Sequence, residues 1–137
     1  MVIKISPDEW ESIFVKDIND KIKESKIEFD EYKDTDKIVY LQQAGNKIFS
    51  AVENHLMLKY KTRVRSYQAL RKLVKNNIND RRLVSKAAQL HYFFYQNTVM
   101  GEPQEYEDIY LEVYEIIKAR IDAKKKKIKG KKVIKNG

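Results

Sequence analysis

A chain of 137 residues with no cysteine, two prolines and four glycines has the size of one compact domain, not the composition of a disulfide-stapled or collagen-like protein. Its 42% apolar and 35% charged residues suffice for a modest core beneath a heavily charged surface. Without cysteine there is no zinc ribbon, iron–sulfur ligation or thiol nucleophile, and His55 and His91 alone cannot supply a three-histidine metal site, so no cofactor is expected.

Ser6, Pro7 and Glu9 supply a capping hydroxyl, a first-turn proline and a capping-box carboxylate, which predict a helix starting there. Trp10, Phe14, Ile18 and Ile22 continue it at four-residue steps, and the pattern fades near residues 28–33. Asp34 or Thr35 is placed to cap a second helix, whose Ile38, Leu41, Ile48, Phe49, Val52 and Leu56 fall within about 100° of one another. Gly45 lies inside that stripe, where a missing side chain admits a neighbouring helix closely. A basic link over residues 59–65 leads to a short helix capped by Ser66, and the asparagines at 76, 77 and 79 with Asp80 read as turn and capping chemistry. A fourth helix is expected from near Arg81 to about Asn97. After Gly101 and Pro103, Tyr106, Ile109, Tyr110, Val113, Ile116, Ile117 and Ile121 mark the last helix. No segment shows strand alternation or a glycine-rich phosphate loop, so the expected fold is an all-α, antiparallel up-and-down bundle with one short inserted helix.

The net charge of +8 is concentrated at one end. Residues 124–137 hold eight lysines and no acid, and without them the 20 remaining basic residues equal the 20 acidic ones. The expected organisation is therefore a bundle over residues 1–123 and a lysine-rich tail over 124–137. In that tail Lys124, Lys125, Lys126, Lys127, Lys129, Lys131 and Lys132 are candidate contacts to nucleic-acid phosphates; the plainer alternative is a frayed, solvated terminus. The longest stretch free of charged residues, 87–101, spans fifteen residues, short of the ~20 apolar residues a membrane crossing needs. Residues 1–8 lack the apolar run of a signal peptide, so a cytoplasmic protein with no membrane partner is expected.

Aromatic residues crowd the fourth helix. On a wheel with Leu83 at the origin, His91 sits in the apolar arc, as a core imidazole would, whereas Tyr92 and Phe93 fall at about 180° and 280°, outside it. Large rings there need a cover. Contact with a second copy of the chain is the favoured one, making Tyr92 and Phe93 candidate homodimer contacts, and the alternative is the chain's own first helix.

From about residue 39 to 121 the helix order, together with Leu90-His91 and Phe94-Tyr95, resembles HEPN domains, nearest to archaeal repeat-associated proteins of the PaREP type. The resemblance implies a dimerising helical bundle, in some members partnered by a nucleotidyltransferase, in others a metal-independent ribonuclease using an arginine, four to six intervening residues and a histidine. Lys86 stands at that spacing from His91, so the resemblance makes His91 and Lys86 the candidate catalytic pair. Lysine lacks the planar two-point phosphate grip of arginine, and the two positions lie about 140° apart on the wheel, so catalysis would require a cleft shared with another helix or a second subunit. The leading expectation is thus a non-catalytic, homodimeric HEPN-like binding or adaptor module. Its alternatives are an RNA endonuclease centred on His91 and non-specific nucleic-acid binding through the lysine tail.

Overall fold

The computed structural model describes residues 7–95 and 102–135, with side chains described over 9–95 and 102–130. Five helices account for its regular structure: α1 Pro7–Thr35, α2 Ile38–Tyr60, α3 Tyr67–Leu73, α4 Ile78–Tyr95 and α5 Pro103–Lys135. Among the described residues there is no strand, and no helix is long and apolar enough to cross a membrane.

The helices form a bundle with one continuous core. Ile18 of α1, Leu41, Ile48 and Leu56 of α2, Leu83 and Leu90 of α4, and Tyr110, Ile117 and Ile121 of α5 are all fully buried in it. Along α1, Lys33 meets Glu107, Ser25 meets Tyr110 and Glu11 meets Lys124, so positions fall on α1 as they rise on α5. The same holds for α4 and α5, where Lys86 meets Glu112 and Phe93 meets Tyr106. Inside the bundle, Ser25 Oγ donates to the Ile22 carbonyl at 2.7 Å and lies 2.9 Å from the Tyr110 hydroxyl, while Phe29 stacks on Tyr110 with centroids 4.6 Å apart. Burial pushes the Tyr110 phenol well above its ordinary range, which keeps it neutral.

Local chemistry explains most of the boundaries. Ser66 Oγ accepts from the Ala69 amide at 3.1 Å and caps α3 as expected. Asn77 Oδ1 accepts from the Asp80 amide at 3.0 Å, so α4 starts at Ile78, earlier than its apolar stripe suggests. Thr35 Oγ1 accepts from the Lys37 amide at 3.2 Å, but the residue entering α2 is Lys37, without a side-chain cap. Lys61, at φ 53°, closes α2 in the left-handed region, and the next amide, Thr62, reaches back to the Met57 carbonyl at 3.1 Å. An added Cβ at Gly45 would lie 3.1 Å from Leu90 Cβ and 3.4 Å from the Leu90 carbonyl oxygen. This is the close approach of α2 and α4 that the glycine permits. The Ser6 cap and the α4 boundary near Asn97 lie outside the described residues.

Two expectations need correction. Over residues 124–135 the lysine-rich segment is helix and not a frayed tail: α5 runs unbroken from Pro103 to Lys135, and Ile128 packs against the core from within the lysine run. Phe93 is fully buried, stacked on Tyr106 of α5 at 3.9 Å and 6°, so it is no contact for a second copy. The wheel misplaced it because α4 packs against both α2 and α5, so the buried arc is wider than a single apolar stripe.

Candidate functional site

Asp80, placed by the first turn of α4 with no exposed surface, carries the most concentrated chemistry in the bundle. Its Oδ1 accepts from Arg120 Nη1 of α5 at 2.6 Å, and its Oδ2 accepts from Lys59 Nζ at 2.7 Å and the Tyr60 hydroxyl at 2.6 Å, both at the end of α2. Burial pushes the carboxyl upward, but the hydrogen bonds from Lys59, Tyr60 and Arg120 and the arginine charge outweigh it, so the net displacement is downward and Asp80 is ionised. The bond it accepts from Tyr60, aided by burial, raises that phenol to about 12. Arg120 Nη1 also lies 3.3 Å from His55 Nε2. A guanidinium only donates, so Nε2 accepts and the imidazole is neutral. Burial, then the Arg120 charge, lowers His55 to about 4. Every group around this carboxylate is thus committed to it or to its partner. The cluster ties α2, α4 and α5 together.

The candidate pair His91 and Lys86 is not brought together. His91 is half-buried, stacked on Phe49 at 4.4 Å with Nδ1 3.4 Å from Asn46 Oδ1, and burial lowers its pKa. Lys86 points instead to α5, where its ammonium donates to Glu112. Tyr92 is 58% exposed, edge-on to Tyr67 of α3 with ring centroids 6.3 Å apart at 82°. Of the lysines in the C-terminal run, Lys124 pairs with Glu11 at 2.7 Å, Lys125, Lys126, Lys127 and Lys129 are exposed, and the side chains of Lys131 and Lys132 lie outside the described residues. Among the described residues no three His, Cys, Asp or Glu stand close enough to hold a metal ion.

What the sequence reading missed is a groove of about 840 Å³ between α3 and α4. Tyr67, Arg71, Lys72 and Lys75 form one wall, Arg81, Arg82 and Ser85 the other, and among the described residues no carboxylate lines it. The five cations are exposed, and among the described residues none is ion-paired, whereas Lys33, Lys47, Lys59, Lys86, Arg120 and Lys124 each hold a carboxylate. Arg71 lies over the Tyr67 ring, 5.9 Å from its centroid. Arg82 also borders a second recess that includes Lys86 and Arg120. The only signal in the sequence was the run of basic residues on either side of the 76–80 turn; which of them stay unpaired is decided by the neighbouring helices.

Comparison with protein-family models, with curated proteins and with solved structures finds no match.

Proposed function

We propose that this protein is a non-catalytic helical binding module whose ligand is nucleic acid, gripped in the groove between α3 and α4. The observation that carries the reading is the set of five cations, Arg71, Lys72, Lys75, Arg81 and Arg82, which have no ion-pair partner among the described residues and line a space that no described carboxylate lines. A body that is formally neutral apart from residues 124–137 has no general basicity to explain such a cluster. Unpaired cations on both walls of an open groove neutralise a polyanion without reading its sequence, and Arg71 on the Tyr67 ring adds the mixture of charge and aromatic surface that nucleic-acid grooves use. The exposed lysines of α5 extend the positive surface as a secondary contact. An HEPN-like, antiparallel up-and-down arrangement is part of this proposal. It is supported by the helix order and by the opposed running of contacts between α5 and both α1 and α4. Binding rather than cleavage is supported by the intrachain contacts of His91 and Lys86, which take the two side chains to different partners.

Fluorescence anisotropy with labelled RNA over a range of salt concentrations tests the reading. Wild type should show a steep salt dependence, and Arg71→Gln/Arg81→Gln should flatten the log–log slope by about 1.4, the value for two lost single-strand phosphate contacts. Changing Lys125, Lys126 and Lys127 to Gln should do less. RNA incubated with the protein should remain intact. A groove variant that binds like wild type, or no binding at low salt, defeats the proposal.

A further inference from the structure

We infer that the ligand of the α3–α4 groove is single-stranded and that an unpaired base stacks on Tyr92; this rests on the nucleic-acid reading above. Tyr92 shares a face of α4 with two groove residues: taking Arg81 as origin, Ser85 lies at about 40° and Tyr92 at about 20°. At ~1.5 Å per residue the ring stands roughly 16 Å along the helix from Arg81, beyond the end of the cationic wall. Tyr67, a groove residue, meets Tyr92 nearly at right angles, which makes the aromatic surface continuous with the groove. A strand whose phosphates follow Arg71 and Arg81 is thereby led toward an exposed ring.

A duplex cannot use such a ring, because its bases are closed within their own stack and it presents only edges and phosphates. Stacking on an aromatic side chain needs only the flat face that every base carries, so the site selects strand state and tolerates sequence. A second copy of the chain is the competing occupant of Tyr92. It is disfavoured because Phe93, the other ring proposed for that contact, is fully buried against Tyr106.

The experiment is anisotropy of the full chain with a labelled uridine oligonucleotide and with an RNA duplex of equal length, alongside light scattering. Wild type should favour the single strand. Tyr92→Ala should weaken single-strand binding about 5- to 150-fold with little change for duplex, Tyr92→Phe should retain the preference, and Arg81→Ala should weaken both ligands. Since Tyr92 is more than half exposed, the alanine variant should keep its fold. Three outcomes overturn the stacking role: equal losses on both ligands with Tyr92→Ala, no loss on either, or a dimer that Tyr92→Ala dissociates while strand preference stays. If duplex binds as tightly as single strand and Arg81→Ala weakens it, stacking fails while the nucleic-acid reading stands. Failure of both probes to bind defeats the parent reading itself.

Discussion

Asp80 and Lys59 show how differently two members of one ion pair can matter. The carboxylate has no exposed surface, whereas the lysine side chain is 41% exposed and the Arg120 side chain 24%. Replacing Asp80 by Asn removes the charge that compensates a largely buried guanidinium and should cost on the order of 3 kcal/mol. Lys59→Gln, at a solvated position, should cost less than about 1 kcal/mol. Urea denaturation of both variants measures the contrast, and equal losses would mean that the carboxylate is not the centre of the cluster. None of this was legible in the sequence. Asp80 sits among asparagines and reads as turn chemistry, and its partners lie 20, 21 and 40 positions away. The wheel set His91 in the apolar arc as a core imidazole, and the structure leaves it half-buried at the edge of the core, stacked on Phe49.

Helices were the most legible level, because a stripe recurring every three or four residues needs no knowledge of partners. The stripes of α2 and α5, the Ser66 cap and the close approach at Gly45 all follow from local pattern. Less legible were the surfaces between helices: Phe93 is covered because α5 supplies Tyr106, a long-range pairing that no single-helix wheel contains. The end of α2 carries its own prediction. Lys61 is exposed and held at φ 53°, a conformation that glycine adopts without steric cost. Lys61→Gly should therefore stabilise the protein by up to about 1 kcal/mol, read as a higher denaturation midpoint. Loss of stability would show that the lysine stem makes packing contacts worth more than the strain.

For the molecule as a whole, the pH response follows from the imidazoles. His55 has its pKa lowered to about 4 in the fold, against an ordinary value of 6.5, by burial and by Arg120 and Lys59, with Asp80 opposing. Burial displaces His91 in the same direction. The unfolded chain therefore takes up these protons first. Their contribution to stability is complete above pH 6.5 and is lost as pH falls toward 4, with His55 accounting for at most about 3 kcal/mol. Asp80, displaced below its ordinary value, adds a further loss only at lower pH. Denaturation midpoints between pH 7.5 and 4 should fall in wild type and fall less in His55→Gln; a flat wild-type profile would show that His55 is not held neutral. Charge at this scale was half legible. The sequence placed the net excess in residues 124–137 and left the body neutral, but a neutral sum hides a segregated arrangement in which some cations are matched and five in one groove have no carboxylate partner among the described residues.

The first turn of α4 sets an inward anion directly beside two outward cations, Asp80 next to Arg81 and Arg82. Rotating this helix by one residue, about 100°, would drive a guanidinium into the oily interior and strand the anchor in water. The rotational setting of α4 is thereby self-correcting. A single embedded acid fixes which way the gripping side chains face, and an insertion or deletion just ahead of it would blunt the grip by misaiming those side chains, leaving their chemistry unchanged.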